Sequence, residues 1–203
     1  MPNHDWDVDS NRLRENLVRV LSRIRDAGRQ RLPLRASDAS GWHAEIMEGL
    51  AVPDPAFVGA FRGQPGLEDI RVMVGPNPGS PPGEVAAELA AFDTTLQRGL
   101  QLLDTSIPAG AMPDEATLGA VIDLCAWAHA QWIQIHPFAN GSGRTARLWA
   151  NAIAMRYELP PFVRLRPRPN HGYEAAAQRA MQGDWEPTVQ VFRAMLDAAA
   201  RGQ

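Results

Sequence analysis

The amino-acid sequence predicts an all-α helical bundle carrying one short β element. Seven segments hold apolar residues at helical spacing, a single stretch alternates in strand fashion, and glycine and proline gather between them. The first helix is expected over 10–26, where Leu13, Leu17, Val20, Leu21 and Ile24 share one side and arginines the other, with Gly28 as its end. A second starts near Ser40, runs through WHAEIMEGL and stops around Gly49, ahead of Pro53 and Pro55; Glu45 and Glu48 read there as a surface pair. Over 63–82 glycines and prolines surround IRVMV, in which Ile70, Val72 and Val74 alternate with Arg71 and Met73, the mark of a short strand or β-hairpin. Helical periodicity resumes over 83–103 through Val85, Leu89, Phe92, Leu96 and Leu100. After a turn at 107–113, the segment 117–135 spaces Leu118, Val121, Ile122, Cys125, Ala128 and Trp132 as the expected buried central helix. A helix at 143–157 follows, then the proline-broken ELPPFVRLRPRPNHG, then helices at 173–182 and 187–199, with Gly183 between them and Pro187 in the first turn of the last. No repeat, low-complexity tract or linker divides the chain, so one domain over 1–203 is expected.

Composition narrows the function. The chain of 203 residues is 45% hydrophobic and 21% charged, which suits a globular protein with a sizeable core. Its formal net charge of −3 argues against bulk nucleic-acid binding, which needs a basic face. Arg164, Arg166 and Arg168 alternate in VRLRPRP; they read as a solvated extended segment, close enough behind the preceding helix to border its pocket. Cys125 is the only cysteine, so no internal disulfide or cysteine-based metal cluster is expected, and its apolar surroundings place it in the core. The start, MPNHDWDVDSNRLREN, is polar and acidic, without an apolar run for a signal peptide or membrane anchor. A cytoplasmic location, or export without a cleaved signal, and no membrane partner are the expectation.

The chemistry concentrates in IHPFANGSGRTAR, residues 135–147. Small residues let a ligand approach the backbone, and a helix beginning near Gly143 aims unpaired N–H groups at an anion. Ser142 suits the N-cap; Arg144 and Arg147, at i and i+3, share a face and can converge on phosphate oxygens. His136 stands just ahead of the turn, where a proton-transfer group can sit beside a bound anion. Each part has an ordinary alternative: a plain turn, solvated arginines, a structural histidine. Their convergence in one short segment favours a phosphate site.

His136, Pro137, Phe138, Ala139, Asn140, Gly141, Ser142, Gly143, Arg144, Thr145, Ala146 and Arg147 together resemble the signature of the Fic (Fic/Doc) family, H-P-F-x-[DE]-G-N-G-R-x-x-R. GLEDIRVMVG with Pro81 and Pro82 looks like that family's β-hairpin flap, at about 66–75, and YEAAAQRAMQGDWEP like its C-terminal helices. The resemblance implies a Fic-like bundle and a transferase that moves AMP from ATP to a hydroxyl on a target protein. It implies that His136 is the general base and Phe138 the buried anchor of the 136–147 loop. Asn140, Gly141, Ser142, Gly143, Arg144 and Arg147 would bind the nucleotide phosphates, and Ile70, Arg71, Val72, Met73 and Val74 would dock the target.

Two signature positions differ. Asn140 replaces the acid that holds Mg²⁺ in the family, so it is at most a weak metal ligand, and Ser142 replaces an asparagine with longer reach. The alternatives are therefore transfer of another phosphate-linked group from a different donor, or a non-catalytic Fic-like module that binds nucleotide or protein. Many relatives also carry an inhibitory helix, [ST]-x-x-x-E-[GN], whose glutamate pairs with the second signature arginine. Residues 44–49 read AEIMEG within the N-terminal helices (10–50), which makes Glu48 a candidate brake, or a surface glutamate before a helix-ending glycine. The sequence names neither a target nor a separate antitoxin.

Overall fold

A computed structural model describes residues 10–169 and 172–202; the segment 1–9, read above as free of a signal peptide, lies outside the described residues. Ser10 opens helix α1 (Asn11–Arg29), its side chain accepting from the Leu13 N–H at 3.1 Å. Leu13, Leu17, Val20 and Ile24 are its buried stripe. The helix does not end at Gly28. A Cβ there would lie 3.2 Å from the Arg156 backbone nitrogen, so this glycine permits close helix approach instead of terminating a helix. Helix α2 (Asp38–Met47) starts earlier than Ser40 and leans on α1.

The β element is smaller than IRVMV. Strands β1 (Met73–Val74) and β2 (Asn77–Pro78) pair antiparallel, Met73 opposite Pro78 and Val74 opposite Asn77. Ile70, Arg71 and Val72 precede the strand: Gly79 N–H still donates to Val72 O at 3.0 Å, but the register places Pro81, which has no N–H to donate, opposite Ile70. A 3-10 turn (Pro82–Glu84) then leads into α3 (Val85–Ser106).

Helix α4 (Glu115–Ile135) is capped by Asp114, whose carboxylate accepts from Thr117 N–H at 2.8 Å and sets an earlier start than 117. It touches α3, α6 (Tyr173–Ala180) and α7 (Glu186–Ala200) as well as α5 (Ser142–Arg156). The most enclosed helix is α5, not α4, since every residue of α5 except Gly143 is buried. Its apolar faces alone do not explain this. Polar side chains are accommodated by specific partners: Asn151 exchanges bonds with the Val163 backbone at 2.7 and 3.0 Å, and Arg156 clamps Asp104 at 2.6 and 3.1 Å.

The core runs without interruption from α1 to α7 and is dense in aromatic rings. Trp149 lies 4.7 Å from Trp42 and 5.4 Å from Trp132 between centroids, and Phe92 sits 5.2 Å from Trp127, Trp132 and Trp149 alike. Truncating one such ring to alanine costs about 3–5 kcal/mol. Cys125 is buried as expected; its Sγ donates to Ala150 O at 3.3 Å and burial pushes its thiol pKa up. Among the described residues no helix is long and apolar enough to cross a membrane.

Candidate active site

The site grows from the connection between α4 and α5. His136 ends α4 in the left-handed region, φ 51° and ψ 59°, its N–H still bonded to Trp132 O at 3.0 Å. That conformation costs a non-glycine residue about 1–3 kcal/mol, so the surroundings must hold it. Arg62 does so. It is 1% exposed, and its Nε donates to His136 O at 2.8 Å, Nη2 to Ile135 O at 2.9 Å and Nη1 to Ile70 O at 3.1 Å. Its own N–H donates to Pro137 O at 2.8 Å. One buried fork thus ties His136 to the segment that leads into the hairpin. The flap is also seated directly on the histidine, because a Cβ on Gly79 would lie 2.9 Å from His136 Cβ and 2.8 Å from Val72 Cγ2.

His136 Nδ1 lies 3.2 Å from Ile133 O and donates to it, which leaves Nε2 as a proton acceptor. Burial, opposed by that hydrogen bond and aided by the Arg62 charge, brings the imidazole pKa down to about 4. The ring is neutral at pH 7 and lines the cleft.

Phe138 is fully buried and fixes the loop, stacked on His43 at 4.1 Å and 12° and packed against Phe61 at 4.9 Å. His43 pins the same loop from α2: its Nε2 donates to Asn140 O at 2.9 Å while Nδ1 accepts from Gly59 N–H at 2.9 Å. Burial pushes its pKa down to about 4, which keeps it neutral for that double role. Gly141, at φ 83°, is the N-cap of α5, and a Cβ there would meet Met47 at 3.0 Å and His43 at 3.1 Å. Ser142 is therefore not the cap. It is the first helical residue, fully buried, and its hydroxyl accepts from Phe138 N–H at 3.0 Å and donates to Phe138 O at 3.3 Å. Its side chain closes the loop, so only its backbone N–H, with that of Gly143, remains at the helix N-terminus for an anion.

A cleft of about 650 Å³ opens over this N-terminus. Arg144 and Arg147 line it with Gly141, Gly143 and His136; Arg71, Val72, Met73 and Val74 of the flap form another wall. Ile70 contributes its carbonyl to Arg62 instead. Of the alternating arginines, Arg166 and Arg168 line the cleft and Arg164 does not. Arg147 is 4% exposed; one Nη donates to Tyr173 Oη at 3.3 Å, and Tyr173 Oη lies 2.7 Å from His129 Nε2. Burial, with the Arg147 charge, brings His129 down to about 3, so it stays neutral behind that arginine.

Two expected roles meet other partners. Asn140 Oδ1 accepts from an Arg144 Nη at 2.7 Å, and the cleft wall contains no carboxylate among the described residues. That wall offers magnesium no carboxylate, only a neutral amide oxygen that already accepts from Arg144, a poor donor set for a hard cation. Glu48 pairs with Arg19 of α1 and is two-thirds exposed, while Glu45 pairs with Arg23 at 2.8 Å; the structure does not join Glu48 to Arg147. Arg62, His43 and Tyr173 were missed from the sequence. A single arginine between Phe61 and a glycine turn carries no local sign that it will be buried.

The family model for Fic/DOC matches residues 33–154, from the approach to α2 to the end region of α5. The chain belongs to the Fic/DOC family. Among similar proteins, a protein adenylyltransferase Fic of Nematostella vectensis is 41% identical over 68 residues, 34% of this chain and 16% of that relative. One of Culex quinquefasciatus is 29% identical over 136 residues, 67% of this chain and 23% of that relative. The chain thus spans under a quarter of the length of these two Fic relatives. Fic-1 of C. elegans (residues 134–508) has a similar structure, with a TM-score of 0.64 and 25% identity over 96% of this chain and 52% of that one. The Bartonella tribocorum effector BepC shares the fold, with a TM-score of 0.62 and 16% identity over 95% of this chain and 90% of that one.

Proposed function

We propose that the chain acts as a single Fic-like unit that transfers AMP from ATP to a hydroxyl side chain of a protein. The observation that carries this reading is His136 held in a cleft between a β edge and an arginine-lined helix N-terminus, its Nδ1 engaged by Ile133 O so that Nε2 is left to accept a proton. The relatives named protein adenylyltransferase Fic support the donor and the protein acceptor. In the reaction, His136 Nε2 takes the proton of the target hydroxyl as its oxygen attacks the α-phosphorus. The bond from that phosphorus to the α,β-bridging oxygen breaks, and pyrophosphate leaves with the negative charge. Arg144, Arg147 and the Ser142 and Gly143 N–H groups are placed to stabilise that charge, the main requirement for phosphoryl chemistry. Met73, 61% exposed, offers the flap edge to an extended target segment.

Incubating the protein with candidate targets and ATP labelled at the α- or the γ-phosphate tests this. Label from the α position alone is expected on the target; label from the γ position, or from neither, overturns the reading. A second reading, a nucleotide-binding module without transfer, is favoured by Asn140, whose side-chain oxygen is engaged by Arg144. It predicts ATP binding with no label moved.

A further inference from the structure

The cleft concentrates positive charge to a degree the signature does not require. Five arginines line it, Arg71 from the flap, Arg144 and Arg147 from α5, and Arg166 and Arg168 from the connection to α6, in a chain whose net charge is −3. No carboxylate stands among the described lining residues. Within the cleft wall, Arg147 is 4% exposed and its Nε has no hydrogen-bond partner, a buried donor that an incoming oxygen would satisfy. Arg168 makes an exposed pair with Glu174 at 2.9 Å, which a phosphate can replace at little cost. At the position where the family has its acid, Asn140 Oδ1 is already the acceptor of Arg144 at 2.7 Å. A divalent cation placed there would find a neutral amide and face a guanidinium.

We propose that this cleft binds its polyphosphate ligand as the metal-free anion, with Arg166 and Arg168 supplying the positive charge that a divalent cation would otherwise bring. The inference rests on the reading of the cleft as a phosphate site. Guanidinium forks suit this role, since each gives paired charge-assisted hydrogen bonds to phosphate oxygens and none depends on a metal's coordination geometry. The arrangement also explains how Asn140 can be tolerated. The amide positions Arg144 toward the ligand, and charge neutralisation moves from the loop to the α5–α6 connection.

Calorimetric titration of the full chain with ATP, and separately with inorganic tripolyphosphate, in excess EDTA and in excess MgCl₂, tests the proposal. Both ligands are expected to bind in EDTA, and MgCl₂ should weaken binding about threefold or more, because the metal cancels charge with which the guanidiniums pair. The double change Arg166→Gln with Arg168→Gln should lower metal-free affinity by about 10–100-fold, the scale of one or two charge-assisted bonds, and affect the magnesium complexes far less. Circular dichroism checks that the variant is folded. Replacing both by lysine should keep most of the affinity. Asn140→Asp should reverse the preference, so that magnesium tightens ATP binding. Wild-type binding that tightens about tenfold or more with MgCl₂ overturns the proposal, as does an equal loss of both forms in the glutamine variant. Failure of both ligands in both buffers overturns it together with the donor assignment. Tight metal-free binding of both, with no α-label reaching any protein, upholds it and removes only the transfer reading.

Discussion

A histidine that is to accept a proton must be neutral beforehand, and His136 is kept so by burial and by the neighbouring Arg62. Its pKa of about 4 lies below the ordinary histidine value, so the imidazole is neutral throughout the neutral range, as the proposed base must be. We expect kcat/KM for transfer to stay level from about pH 8 down to about pH 5.5. An inflection near pH 6.5 in a folded protein would show a solvated, ordinary imidazole. His136→Ala should reduce transfer more than ~10²-fold and leave ATP affinity within a few-fold, because the base contacts the incoming hydroxyl and not the phosphates. Arg62 acts one step back, as a positioning residue. Arg62→Met strands three buried carbonyls, so loss of thermal stability and of kcat is expected together. Arg62→Lys keeps the charge but not the fork, and should recover stability better than kcat, with KM for ATP near wild type. Unchanged kcat in a folded Arg62→Lys protein would mean that the fork does not set the histidine.

At the level of elements, the flap shows how far local pattern can be trusted. The alternation of Ile70 to Val74 announces an extended segment but not where pairing begins, which depends on prolines across the turn. Gly79 N–H donates to Val72 O at 3.0 Å, so the next pair, Met73 with Pro78, falls at a site where neither residue bonds across the hairpin. Met73 therefore turns its N–H and C=O outward, toward any strand that adds to the edge. Met73→Pro removes that outward N–H, and we expect target modification to fall about tenfold or more, from one lost backbone bond plus strand distortion, with nucleotide affinity kept. Matching losses of both in a folded variant would show the flap to be part of the nucleotide wall only. Helices were legible because each had a periodic apolar stripe, but their ends were set by details such as the Asp114 cap and the Gly28 approach. Ser142 misled for a physical reason: serine is a good cap, yet Gly141 alone can adopt the positive φ under Met47 and His43, and the hydroxyl then turns back to Phe138.

For the molecule as a whole, the buried histidines set an acid limit. His43, His129 and His136 all have pKa values pushed well below those of the unfolded chain, chiefly by burial. The unfolded state thus binds more protons between about pH 6.5 and pH 4, and the stability these groups contribute is complete above that window and lost as pH falls through it. Asp104 adds in the same direction: burial alone would raise its carboxyl pKa, but Arg156, Tyr157 and Arg31 hold it below the ordinary value. We expect unfolding free energy to drop by roughly 3–4 kcal/mol per pH unit near pH 5, from about 2–3 protons taken up on unfolding. A melting temperature that is flat from pH 7 to about pH 4.5 would contradict the burial of these rings. The fold class and the 135–147 segment were readable because bundle periodicity and a short motif are local properties. The residues that hold the segment, Arg62, His43, Tyr173 and His129, were not, since each finds its partner only when distant helices meet. Those same helices surround the segment with indoles. Trp42 and Trp132 lie 4.7 and 5.4 Å from Trp149, Trp127 stacks on Phe92 at 5.2 Å, and Trp132 donates to Thr145 at 2.8 Å and lies 6.2 Å from Phe138. At the spacing of Trp42, Trp149 and Trp132, excitation absorbed by one indole is expected to migrate to the others. The protein consequently carries its own optical gauge: a small shift of the 136–147 loop, which Trp132 touches, is expected to change the colour and yield of light from the interior without any attached dye.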